Sequence, residues 1–316
     1  MNRYENLNER ELWENLASKD LLERVDSYRK LSSKAYFDGR YKESLEMGSM
    51  ARDLLLENGR ESFHKEIASI LGSMTEILEI MKDLPEALNT IDEAIAICKE
   101  YGDEDIGSYI RYKGRLYFKD KKYEESLACH KESLELPDIG PWEHSLGVDY
   151  LNIGMSLNRL GRYSEAEEPL LKAIDSFLTE EEDEDERPNW VMQAYGEIVE
   201  TYVGLNNGEQ ILFFAQPALD WWENQGVRRT CWWLKYYLAI GNRLRGEAEL
   251  ALTLLEDARN RAIVDGMGQE SAFLAKVGKE RGQILIEKGE VDEGLELIRR
   301  SESVEATLDL CERKGD

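Results

Sequence analysis

Seven times along this chain a turn signal opens a helix-forming stretch: "DGRYKESL" from Asp38, "KDLPEALN" from Lys82, "DKKYEESL" from Asp120, "LGRYSEAE" from Leu160, "LNNGEQIL" from Leu205, "LRGEAELAL" from Leu244 and "EKGEVDEGL" from Glu287. Within six of them two small residues stand seven apart: Ser44 and Ala51, Ala87 and Ala94, Ser126 and Ser133, Ala166 and Ala173, Ala251 and Ala258, Gly294 and Ser301. The fifth has Ile211 before Ala218. A spacing of seven puts both on one helical face, two turns apart, where missing bulk lets another helix approach closely. A sheet would need a period of two. The first small residues (44, 87, 126, 166, 211, 251, 294) follow one another at intervals of 43, 39, 40, 45, 40 and 43. An array of helix hairpins is the only class that absorbs such a pattern over a whole chain.

Upstream of each turn runs a second amphipathic stretch, such as "SYIRYKGRLYF" from Ser108 or "DYLNIGMSLNRL" from Asp149. A small residue often stands twelve before the first small one: Ser32, Gly114, Gly154, Ala239 and Gly282. The succession of small residue, large residue, turn, tyrosine or apolar residue, small, large, small resembles the tetratricopeptide repeat, over residues 25 to 308. Tyr41, Tyr123 and Tyr163 fall where that family has its post-turn aromatic, and Gly39 and Gly161 where it has its turn glycine. The intervals exceed the usual period of roughly 34, so the resemblance is to the long-period subclass of kinesin light chains and Rap-type bacterial regulators. It implies an all-α fold, an α-solenoid wound as a right-handed superhelix of about seven hairpins, capped by a helix at each end. The expected division is a capping helix over 1–24, resting on Trp13 and Leu16, four repeats over 25–179, an acidic loop over 180–188, three repeats over 189–301 and a capping helix over 302–316. The acidic loop rests on "EEEDEDE" at 180–186, a run of like charges that repels itself into solvent.

Charge narrows the partners. The chain sets 65 acidic residues against 40 basic ones, a net charge of −25 that would repel phosphate backbones and anionic lipid. Neither nucleic acid nor membrane is expected as a partner. No run approaches the roughly 18 apolar residues of a membrane span, and the first residues lack a leader's apolar core, so a cytoplasmic protein is expected. Cys98, Cys129, Cys231 and Cys311 form no C-x-x-C pair and read as reduced, packed thiols. His64, His130 and His144 lack the spacing of any metal or catalytic motif, and no carboxylate pair is singled out for acid–base work. No catalysis, metal or cofactor is expected.

Binding is what the resemblance implies, because in that family the first helix of each hairpin lines a concave groove. Counted from the turn, the outward positions are Arg111, Arg115 and Phe118 in the third copy, with Ser108 one turn earlier, and Leu151, Asn152, Met155, Asn158 and Arg159 in the fourth. The two arginines and the asparagines either hold a peptide backbone or carboxylate, or pair with neighbouring carboxylates. The family's carboxylate clamp is matched in type at only two of three positions, Arg111 and Asn152. A second candidate is "DWWENQGVRRTCWWLKYY", from Asp220 to Tyr237, with four of the seven tryptophans. The register makes it an inter-repeat corner. Trp233, Tyr236, Ile240 and Arg243 then share one helical face, as core and seam or as a side-chain pocket capped by Arg243. The resulting expectation is a non-enzymatic adaptor that binds a peptide or protein segment. The alternatives are a peptide-responsive regulator that captures or releases a partner, and an acidic inhibitor that sequesters a basic protein.

Overall fold

The computed structural model describes residues 8–136, 146–179, 187–224 and 231–314, and among them there are fifteen α-helices and no strand. A short helix α1 (Glu9–Asn15) precedes seven hairpins. They are α2 (Leu21–Phe37) with α3 (Tyr41–Gly59), α4 (His64–Ile80) with α5 (Leu84–Tyr101), α6 (Ile106–Lys119) with α7 (Tyr123–Leu134), and α8 (Leu146–Arg159) with α9 (Tyr163–Thr179). Then follow α10 (Arg187–Gly204) with α11 (Gly208–Asn224), α12 (Trp232–Leu244) with α13 (Ala248–Val264), and α14 (Ala272–Glu287) with α15 (Val291–Lys314).

One device builds all seven turns. Each has a single left-handed residue, at Gly39, Lys82, Lys121, Gly161, Asn206, Gly246 and Gly289, with φ between 52° and 93°. The amide of that residue donates to the carbonyl three back, as Gly161 does to Asn158, and the next amide reaches five back, as Arg162 does to Leu157 at 2.9 Å. This Schellman arrangement satisfies carbonyls that the end of the first helix would otherwise leave bare. The left-handed residues recur at 43, 39, 40, 45, 40 and 43, the same intervals as the small residues. Two of the seven turns carry a lysine there, although L-residues with a side chain pay about 1–2 kcal/mol in that region. Lys121→Gly is therefore expected to stabilise its hairpin by about 0.5–1 kcal/mol, the relief of strain less the extra chain entropy of glycine. Urea denaturation checks this, and a loss of stability would show that the lysine side chain contributes more than its backbone costs.

By compactness the chain divides into Met1–Ser156 and Leu157–Asp316, a boundary inside α8. The acidic block at 180–186 lies outside the described residues. In the first unit consecutive helices from α1 to α7 pack pairwise around a core that includes Leu55, Ile67, Leu71, Ile91 and Leu116. In the second, consecutive helices from α9 to α15 do the same, and first helices also meet directly, α10 with α12 and α12 with α14.

The small residues sit where helices approach. Ala51, Ala87, Ala94, Ala166, Ala173, Ala251 and Ala258 are wholly buried. Ser32 and Ser44 each donate a hydroxyl hydrogen bond to the other's carbonyl oxygen, at 2.8 and 2.7 Å, tying α2 to α3. Two expectations about the ends change. The face of α1 that packs is Leu12 with Leu16, against Leu31 and Met47, while Trp13 is 48% exposed. At the other end α15 runs unbroken through 302–314, so the expected capping segment is the last part of the seventh hairpin's second helix.

Candidate functional site

The residues singled out from the sequence divide between the two units, and in the first unit they are turned inward. Arg111 on α6 is buried, with Nε 2.8 Å from Asp149 Oδ2 on α8. Asp149 Oδ1 also accepts from Ser133 Oγ at 3.1 Å and lies 3.2 Å from His130 Nδ1, both on α7. Burial opposes the charge on Asp149, but His130 and Arg111 outweigh it and hold the carboxyl below its usual range. Arg111 is thus a buried structural cation, not an outward peptide contact. Arg115 is half exposed, but Glu79 of α4 claims it at 3.3 Å, and the guanidinium lies 4.4 Å from the centre of the Tyr112 ring. Glu79 also accepts from the Tyr112 hydroxyl at 2.7 Å and from Lys119. Phe118 stacks edge-on to Tyr123 inside its own hairpin, 5.3 Å between centroids. Asn152 is half-buried, and its carbonyl accepts from Ser156 Oγ.

In the second unit the same bridging recurs. Asn158 is buried, donating to the Glu197 carbonyl and carboxylate at 2.9 and 3.0 Å while accepting from Thr201 Oγ1 at 2.8 Å. Arg159 pairs with Glu197 at 3.0 Å and Glu200 at 3.3 Å. Here burial wins, and the Glu197 carboxyl is pushed up despite both partners. Arg243 on α12 pairs with Glu280 and Glu287 on α14. Each bridge runs from a first helix to a carboxylate on a neighbouring first helix, about one repeat away. In so acidic a chain, an arginine on this face finds an internal carboxylate before it finds a ligand.

A groove of 540 Å³ lies across α10, α12 and α14, closed on one side by α15. Tyr236, Tyr237 and Ile240 of α12 form its floor, with Glu200 and Val203 on α10, Lys276 and Lys279 on α14, and Glu302 on α15 among its walls. Trp233 is half-buried beside it, against Gly196 and edge-on to Tyr237 at 5.9 Å. Trp232 is seated on Phe273, 4.1 Å between centroids, and Trp222 is buried. The tryptophan-rich stretch is therefore seam at Trp222, Trp232 and Trp233 and groove floor at Tyr236 and Tyr237. Its centre, 225–230, lies outside the described residues.

Lys276, Lys279, Glu200 and Val203 were not singled out from the sequence, yet the repeat register reaches them. Adding 43, the interval between the turns at Gly246 and Gly289, carries Trp233, Tyr236 and Ile240 to Lys276, Lys279 and Gln283. Subtracting 40 carries Ile240 and Arg243 to Glu200 and Val203. Elsewhere, His130 is fully buried and Cys98, Cys129 and Cys231 are buried free thiols, the first pushed up to about 12 by burial. Among the described residues no group of three or more His, Cys, Asp or Glu side chains is placed to hold a metal ion. No described helix is long and apolar enough to cross a membrane.

Hairpins with one recurring turn, tied by first-helix bridges, make a helical-repeat fold of the tetratricopeptide type. A tetratricopeptide-repeat profile matches residues 150–177, and the fold of the chain is that of tetratricopeptide-repeat proteins. The apo form of RapI aligns over 90% of this chain and 99% of its own, at 15% identity and a TM-score of 0.61. The apo quorum sensor NprR of B. thuringiensis aligns over 94% and 80%, at 14% identity and a TM-score of 0.62. A signal-transduction ATPase with a tetratricopeptide-repeat sensor, from Pyrococcus horikoshii, aligns over 85% of this chain but 40% of its own, at 17% identity and a TM-score of 0.68. No curated protein sequence matches the chain.

Proposed function

We propose that the protein is a non-enzymatic adaptor that binds a peptide or protein segment, and that in the second unit the segment lies in the groove over α10, α12 and α14. The observation that carries this reading is the groove floor. Tyr236 and Tyr237 are half-buried aromatic side chains lining a groove of 540 Å³, and buried aromatics are the usual anchors of such interfaces. Arg111, Asn158, Arg159 and Arg243 on the first helices spend their polar groups on neighbouring first helices, whereas the two tyrosine rings line the groove. Two of the chains that share the fold are a quorum sensor and the sensor of a signalling ATPase, which supports a second reading, that occupancy of the groove regulates capture of a further protein.

Gln283 is an exposed wall residue of the groove. Gln283→Trp is expected to obstruct the site without touching the core. Heptapeptides selected from a randomised library on the immobilised wild-type protein should bind this variant at least roughly tenfold more weakly, with its melting temperature unchanged. Equal binding to both proteins would place the interaction elsewhere.

A further inference from the structure

The charges around the groove discriminate between kinds of segment. Four carboxylates line it, Glu200, Glu280, Glu302 and Glu305, against two ammonium groups, Lys276 and Lys279. One of those ammonium groups is already held, since Lys279 bridges to Glu305. Arg243 is likewise committed to Glu280 and Glu287, and Glu200 shares Arg159 with Glu197, so with these partners counted six carboxylates stand against four cations, Lys276, Lys279, Arg159 and Arg243. On the floor, Tyr236 and Tyr237 stand 5.5 Å apart between ring centroids. Phe273 and Trp233 flank them edge-on, at 5.7 Å from Tyr236 and 5.9 Å from Tyr237. Both tyrosine hydroxyls are raised above their ordinary value, first by burial. After burial come Glu280 and Glu200 at Tyr236, opposed by Arg243, and Glu200 at Tyr237. The excess of carboxylates among these charges makes the potential over the floor negative, and an aromatic floor beneath a negative potential favours a desolvated cation.

We infer that this groove seats a lysine or arginine side chain of a linear peptide on Tyr236 and Tyr237, with Glu200 and Glu302 as its counter-charges. The inference rests on the groove reading above and adds the chemistry of the occupant. A segment presenting a carboxylate at that point is disfavoured by the same groups.

The randomised heptapeptide library tests this on the full chain. The wild-type pool is expected to be enriched in arginine and lysine, and replacing arginine by citrulline in a selected peptide is expected to weaken binding roughly tenfold. The paired substitutions Glu200→Gln and Glu302→Gln should abolish the enrichment. They remove two negative charges from a protein of net charge −25, so any general attraction for cationic peptides is retained. Enrichment that persists in that variant, or its absence from the wild-type pool, overturns the inference, and if Gln283→Trp still blocks binding the groove reading stands without it. A library that yields no binder, or binders indifferent to Gln283→Trp, overturns both. Melting curves of each variant separate lost binding from lost folding.

Discussion

Asp149→Ala is expected to destabilise the first unit by about 3–5 kcal/mol, the usual cost of removing one partner from a buried charge pair. The carboxylate is fully buried and Arg111 is only 6% exposed, so the guanidinium left behind has no bulk water to turn to. Ser133 and His130 would lose an acceptor at the same time. Asp149→Asn preserves the shape and an acceptor oxygen but not the charge, and should fall between alanine and the wild type. The pH dependence has a definite sign. Asp149 is lowered below its ordinary 3.8 in the folded protein, so the stability it contributes is present above that pH and is lost as pH falls through the folded value. The alanine variant should lack that acid-dependent loss. Glu197, raised above its ordinary 4.5, has the opposite sign. Its contribution is present below 4.5 and is lost as pH rises through its folded value, and Glu197→Gln should lack that loss. Repeat arrays unfold locally, so hydrogen exchange at the amides of α6, α7 and α8 is a better measure than one global transition. A loss below about 1 kcal/mol in Asp149→Ala would mean that water reaches Arg111 when the carboxylate is gone.

The same network shows where a single sequence stops being informative. The turns were legible even at Lys82 and Lys121, where no glycine marks the left-handed position, because the small residues fix the register from both sides. Short-range periodicity failed at α1, whose seven residues are too few to choose between Leu12 and Trp13 as the packed face. Arg111 is 38 residues from Asp149, and nothing local to either residue announces the other. The preference for outward turn positions therefore placed Arg111 and Asn158 on a binding face, when both are spent joining first helices. The groove was half legible. Tyr236 came from helical spacing within one stretch, whereas Glu200 and Lys276 needed the repeat interval to be carried to α10 and α14. Glu302 belongs to a second helix and follows from neither rule. It lines the site because α15 lies against α14 and continues without a break.

The hairpin of α14 and α15 gives the other large effect. Gly282 and Gly294 face each other across it, and a Cβ built on Gly294 would lie 2.5 Å from the Gly282 carbonyl oxygen and 2.7 Å from Ile286 Cγ1. A Cβ on Gly282 would lie 2.7 Å from the Gly294 carbonyl oxygen. The two carbonyl oxygens are backbone, which cannot swing aside as a long side chain does, so the helices must part. Replacing glycine by alanine inside a helix ordinarily stabilises it by about 1 kcal/mol. Forcing atoms into a close-packed contact costs about 1–3 kcal/mol, occasionally more, so at these positions the clash should outweigh the propensity. Either single alanine variant is expected to be less stable, by a net of up to about 2 kcal/mol once the gain in propensity is subtracted. The double variant should be the least stable but should cost less than the two singles together, because helices already pushed apart by one methyl group have made room for the second. Urea denaturation of the four proteins, with hydrogen exchange to assign the loss to α14 and α15, measures each corner of that cycle. Full additivity would mean that the two glycines are not sharing one contact. A gain in stability at Gly294→Ala would mean that the helices separate at little cost, and that the twelve-residue spacing of small residues marks a loose seam.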